Sequence, residues 1–178
     1  MSGGMGRPER DEYAPSYAGY VALVPDGDLL ALLAEQPATL DRLLHGLTED
    51  QATGSFAPGE WSIKEVIGHL GDGERTFGYR AFCFSRGERS ALPGFEQDDY
   101  VREANSNART LADLLEELTL LRRANLLAYR HLAPEVGLRR GVASGVEVSV
   151  RALLAIMAGH FIYHLDDLRK QYLPALKG

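Results

Sequence analysis

The chain has 178 residues, 45% of them hydrophobic, with a formal net charge of −6 and one cysteine. That length suits a single domain whose core can stand without disulfides, and a lone Cys83 offers none within the chain. No apolar run approaches a membrane span, no secretory-type apolar core opens the sequence, and charges of both signs are interspersed. The expectation is a cytoplasmic protein with no nucleic-acid or membrane partner and with a homodimer as a compatible assembly; composition says nothing about substrate.

Residues 1–12 are glycine-rich and charged and read as a mobile tail, which leaves 13–175 as the domain. Tyr13, Tyr17 and Tyr20, with Pro15 and Val21-Ala22-Leu23-Val24, predict an extended strap laid across the core, because aromatics at that density want burial. A turn at Pro25-Asp26-Gly27-Asp28 caps a first helix over 28–47. Its stripe is Leu29, Leu33, Leu40, Leu44 and Leu47, and the apolar phase survives Pro37, so one kinked helix is expected. A second helix follows over 61–85, where Ser62 and Glu65 stand in capping-box spacing after the apolar anchor Trp61. Ile63, Val66, Ile67, Leu70, Phe77, Ala81 and Phe84 form its inward face, with His69 on the edge. Gly68, Gly71, Gly73 and Gly78 each disfavour this helix by roughly 0.8 to 1 kcal/mol relative to alanine. They imply either close helix packing or open volume beside His69.

Residues 86–109 have little periodicity, and so long a connection is expected to cross the bundle end and form part of a rim. The third helix spans 110–132, opened by Thr110 and Asp113, on a stripe interrupted by Asn125. That amide is either partnered in the core or exposed to a cavity. Residues 138–148 alternate around Ser144-Gly145 as a small hairpin or extended connection. Ser149 then opens a fourth helix, 149–172. There His160 and His164 stand four residues apart, about 6 Å along the axis and on one face. They lie beside the stripe of Leu153, Leu154, Met157, Phe161, Leu165 and Leu168. Two such histidines are either a metal pair or hydrogen-bonded core residues.

Four stripes in one chain argue for an all-α four-helix bundle with long crossover connections, in which sites are built from inward side chains of facing helices. Three histidines on two stripes, His69 with His160 and His164, suit an open site holding one divalent ion, because three protein nitrogens leave positions for water or substrate. Cys83 would lie about 21 Å along the helix from His69 and is no fourth ligand. His45 and His131, near helix ends, read as surface or capping residues. Glu65, Asp72, Tyr163 and Asp167 are candidates to accept the outer N–H of a ligating imidazole. For each carboxylate the ordinary role of exposed charge or cap competes, and Glu65 already has a capping role.

Together, Gly59-Glu60-Trp61-Ser62-Ile63-Lys64-Glu65-Val66-Ile67-Gly68-His69-Leu70 with Asp72 and Glu74, the loop Leu92–Asp98, and Ser149-Val150-Arg151-Ala152 leading to His160 and His164 resemble the DinB-like superfamily. The resemblance covers about residues 13–172. It implies a four-helix bundle with the second and fourth helices side by side and a divalent metal, zinc, nickel, iron or manganese, on His69, His160 and His164. It also implies a range of reactions: transfer of low-molecular-weight thiols such as bacillithiol or mycothiol to electrophiles, glutathione or maleylpyruvate chemistry, metal-dependent hydrolysis, or none assigned. Phe161 follows His160, so no general base accompanies the pair as in zinc proteases. On that ground, and because the better understood reactions of the resembling family use thiols, transfer of a thiol to an electrophilic small molecule, of the kind met in stress responses, is the expected activity. Hydrolysis and a non-catalytic metal-binding bundle are the alternatives.

Overall fold

A computed structural model describes residues 5–176. Four long helices form the bundle: α2 (Leu29–Leu44), α4 (Ile63–Ser85), α6 (Leu111–Tyr129) and α7 (Val150–Asp167). Shorter elements connect them: α1 (Ala18–Leu23), α3 (Glu49–Ala52), α5 (Gln97–Ala104) and an antiparallel hairpin of β1 (Arg140–Ala143) and β2 (Val146–Ser149). After α7 the chain continues through a wide π-type turn, Leu168–Tyr172, into α8 (Leu173–Ala175). Helix α4 packs on α6 and α7, and α2 packs on the same two. The second and fourth long helices are therefore neighbours, with α2 diagonal to α4. Among the described residues, no helix is long and apolar enough to cross a membrane.

Helix starts follow local chemistry. Ser62 and Glu65 satisfy each other's backbone N–H groups, at 2.7 and 3.1 Å, while Asp28, Thr110 and Ser149 accept from the first turns of α2, α6 and α7. Pro37 stays inside α2, buried, without ending it. Ser144 and Gly145 both have positive φ, the two-residue turn whose twist matches a hairpin.

The core falls into two apolar halves. One gathers Leu33, Phe77, Phe84, Leu153 and Ile156; the other gathers Leu40, Ile67, Leu118, Phe161 and Leu165. Between them lies a buried polar layer. Arg122 Nε and Nη2 bind the Glu74 carboxylate at 2.9 Å, and Arg122 Nη1 donates to Gln36 Oε1 and the Leu33 carbonyl, each at 2.7 Å. Gln36 passes a hydrogen bond on to the Ala158 carbonyl of α7 at 2.8 Å, and Asn125 donates to Glu74 at 2.9 Å. Asn125 is thus partnered rather than facing a cavity. The glycines of α4 are explained mainly by close packing: a Cβ on Gly68 would strike Ser106, on Gly78 Asn125, and on Gly73 the His160 ring.

Two expectations about the N-terminal region do not hold. The strap is not extended: Pro15–Tyr17 is a 3-10 turn leading into α1. The reason is spacing, since Tyr17, Val21 and Val24 recur at helical steps and Val21 and Val24 are buried. Nor is the stretch before it a free tail. Residues 1–4 lie outside the described residues, but Arg7 bonds the Val21 and Val24 carbonyls, and Glu12, 2% exposed, is held by Ser149 and Arg151. Its charge compensates a guanidinium at the start of α7, so the arm is anchored. Segment 86–109 contains α5, a polar helix that buries only Val101 against α4.

Although burial raises the Glu12 carboxyl, Arg151 and Ser149 bring it down to about 2 overall. Its stabilisation is present above the unfolded value near 4.5 and is lost as pH falls towards 2. Glu12→Gln should therefore lower stability by about 2 kcal/mol at neutral pH, and thermal melts of variant and wild type should converge between about pH 4.5 and 2.

Candidate metal centre

His69 comes from the second turn of α4, and His160 and His164 from adjacent turns of α7. Close contact between those helices buries all three imidazoles, at 3, 6 and 7% exposed. His160 Nε2 lies 2.8 Å from His69 Nε2 and 3.1 Å from His164 Nε2, and the three donor atoms all lie within 4.8 Å of one another. Room for His160 is made by Gly73, where a Cβ would approach the ring to 3.1 Å.

The Nε2 of a neutral imidazole carries either one proton or one lone pair. His160 Nε2 faces two histidine nitrogens and cannot give a good hydrogen bond to both. A cation among the three resolves the conflict, because each nitrogen can then present its lone pair. At bonds of about 2.0 to 2.1 Å an ion spans donors up to about 4.2 Å apart, so the set needs adjustments of less than about 1 Å. Burial favours the required state. It lowers His69 to about 4, with Asp98 acting in the opposite sense, and lowers His164 to about 3 with help from His69. His160 is pushed well below its ordinary value by burial, His164, His69 and Arg122. All three are neutral at pH 7, and the residues present fit a divalent ion.

The rings are fixed by aromatic contacts. Trp61 packs against His69 at 4.8 Å between centroids and stacks over His164 at 6.5 Å. Tyr20 meets His160 edge-on at 5.3 Å, and Tyr163 meets His164 at 5.1 Å. No carboxylate among the described residues lies within salt-bridge reach of the three rings, and His69 Nδ1 is buried without a partner. Weakly polarised imidazoles leave a bound ion more of its positive charge.

A cleft of about 500 Å³ opens beside His164. Tyr163 and Asp167 line it, as do Glu60, Trp61 and, from the start of α5, Gln97 and Asp98. Glu65 is instead occupied in its capping box, and Asp72 is half-buried where its charge meets Arg75 and Glu117. His45 and His131 are exposed, and Cys83 is a free thiol outside the cluster. Asp98 had no assigned role in the sequence because α5 lacks an apolar stripe. Trp61 reads as a helix anchor because its spacing to Ser62 and Glu65 explains it without a site.

A family model described as the DinB superfamily matches residues 32–168. The chain belongs to the DinB superfamily. A relative in Oceanobacillus iheyensis, provisionally named the metal-dependent hydrolase OB0413, is 21% identical over 132 residues, covering 73% of this chain and 75% of its own. The solved structure of YfiT from Bacillus subtilis, described provisionally as a metal-dependent hydrolase with an unusual four-helix bundle topology, superposes with a TM-score of 0.76. It is 16% identical and covers 92% of this chain and 93% of its own, which shows that the two share this superfamily's fold.

Metal analysis after stripping and reloading should find one divalent ion per chain, and none on His69→Ala, His160→Ala or His164→Ala. Circular dichroism should show helicity retained, since the apolar halves carry the fold. Gly73→Ala should weaken affinity about tenfold by displacing His160. Because the folded imidazoles stay neutral far below pH 6.5, proton competition should begin only near pH 4. The metal-free fold should lose stability from about pH 6.5 downwards, where the unfolded histidines take up protons first.

Proposed function

We propose that the protein is a metal-dependent hydrolase of small molecules. The observation that carries the proposal is the convergence of three buried, neutral imidazoles beside a cleft bearing carboxylates. A divalent ion on His69, His160 and His164 would act as a Lewis acid there and lower the pKa of a water or thiol. The chain's own groups favour water over thiol in this reading. From sequence alone thiol transfer is preferred because the better understood reactions of the resembling family use thiols and because no base is evident; the base in this reading is Asp98, which lines the cleft and whose charge acts on His69. Its carboxylate can take the proton of an attacking water, while Trp61 and Tyr20 shield the histidines from bulk solvent and hold their rings. The names of the two relatives support the same reading, and the absence of a thiolate from the donor set leaves zinc, nickel, iron and manganese all compatible with it.

The test is a panel of small esters, amides and activated electrophiles offered to the metal-loaded protein with and without low-molecular-weight thiols. Hydrolysis independent of thiol is expected. It should be abolished by chelation and by His160→Ala, and kcat should fall about 10²- to 10⁴-fold in Asp98→Asn with the ion retained. Consumption of electrophiles only in the presence of thiol would establish transfer instead.

A further inference from the structure

Several buried or partly buried carboxylates have a cationic partner: Glu12 has Arg151, Glu74 has Arg122, and Glu117 has Arg75 and Arg109. The cleft's carboxylates have none: Glu60 and Asp98 are exposed at its mouth, and Asp167, partly buried, accepts among the described residues only from Gln171 Nε2 at 2.7 Å. Glu60, Asp98 and Asp167 converge on it, no lysine or arginine lines it, and none of the three has a cation within 4.0 Å among the described residues. Even with a divalent ion on the histidines, the surroundings of a bound molecule would keep about one negative charge in excess. The remaining wall is aromatic, with Trp61, Tyr163 and Tyr172 presenting rings to the same space. Unpaired carboxylates beside π faces form the environment in which an organic cation is better stabilised than in water. The same carboxylates act on the wall: the Tyr172 hydroxyl is pushed up to about 12 by burial first and then by the charges of Asp167, Glu60 and Glu65.

We infer that the cleft takes a free small molecule bearing a protonated amine or quaternary ammonium group, held between the aromatic wall and Glu60, Asp98 and Asp167. That its reacting bond faces the three histidines rests on the hydrolase reading above. The cation itself is recognised by the cleft alone. A volume of about 500 Å³ suits a ligand of metabolite size. Anionic molecules, carboxylate-bearing thiols among them, meet repulsion from these carboxylates.

Trp61 is the only tryptophan and lines the cleft, so its fluorescence reports occupancy directly. The full-length, metal-loaded protein is titrated with three probes of one shape: choline, its uncharged isostere with a tert-butyl group in place of trimethylammonium, and the corresponding tert-butyl carboxylate. Choline should bind at least about tenfold more tightly than the uncharged probe, and the carboxylate most weakly. The advantage should shrink with added salt and in the Glu60→Gln/Asp167→Asn double variant, whose amides keep side-chain size at cleft-lining positions. Equal affinity for charged and uncharged probes, a preference for the carboxylate, absence of binding, or an undiminished preference in the double variant would overturn the inference. Binding is read without turnover, so the two readings fail separately. A cation preference in a protein that hydrolyses nothing overturns only the hydrolase, and hydrolysis without a cation preference overturns only the cation.

Discussion

The buried ion pair between Glu74 and Arg122 sets the geometry on which the rest of the bundle depends. A guanidinium and a carboxylate this deep cannot be left half-satisfied, because removing either partner strands a charge in a low-dielectric interior. The pair therefore recruits Gln36, Asn125 and the Leu33 carbonyl until its hydrogen bonds are met, and in doing so ties α2, α4 and α6 at one level. Gln36 extends the tie to α7 through the Ala158 carbonyl, two residues before His160. Arg122 also lies 5.2 Å from the centre of the Phe161 ring, the residue after His160. The apolar halves alone could slide; a directional layer between them fixes how far α7 stands along α4, and hence whether His69 meets His160.

This register has a chemical consequence. Burial within aromatic walls opposes protonation of all three imidazoles, and at His160 the charge of Arg122 adds to it. A site prepared in this way does not have to expel protons before it receives a cation. Among the described residues its outer nitrogens have no carboxylate partner, so ring positions rest on packing by Trp61, Tyr20 and Tyr163. Shape thus takes over a task that hydrogen bonds perform in many metal sites.

Much of this was legible in the sequence. Stripes at three- and four-residue steps gave the four long helices within a few residues, the Ser62 and Glu65 spacing located the start of α4, and the interval from His160 to His164 placed two imidazoles on one face. What escaped was polar. Arg122 follows Leu118 by four residues and so lies on the inward stripe, but an arginine there reads as a surface residue until its partner Glu74, 48 positions earlier, is known to face it. Helix α5 buries a single side chain, which leaves no periodicity to read, and Asp98 went unassigned with it. The arm was misread because its charges suggested solvent, whereas Glu12 meets Arg151 across 139 residues of chain. Long-range charge pairing leaves no local pattern.

The close approach of α1 to α7 divides the centre between two parts of the chain. At Gly159 the backbone of Tyr20 comes so near that any Cβ would overlap its carbonyl. The three histidines lie inside residues 32–168, the stretch matched by the superfamily, while Tyr20 precedes it and Gln171 and Tyr172 follow it. The histidine cluster and part of the cleft's wall thus come from separate stretches of the chain, and α1 meets α7 at Gly159. The flanks close only the edge of the vestibule, whereas Glu60, Trp61, Asp98 and Asp167, which give it its charge and much of its aromatic face, lie in the same stretch as the histidines, so that what the cleft selects and what the histidines hold are inherited together.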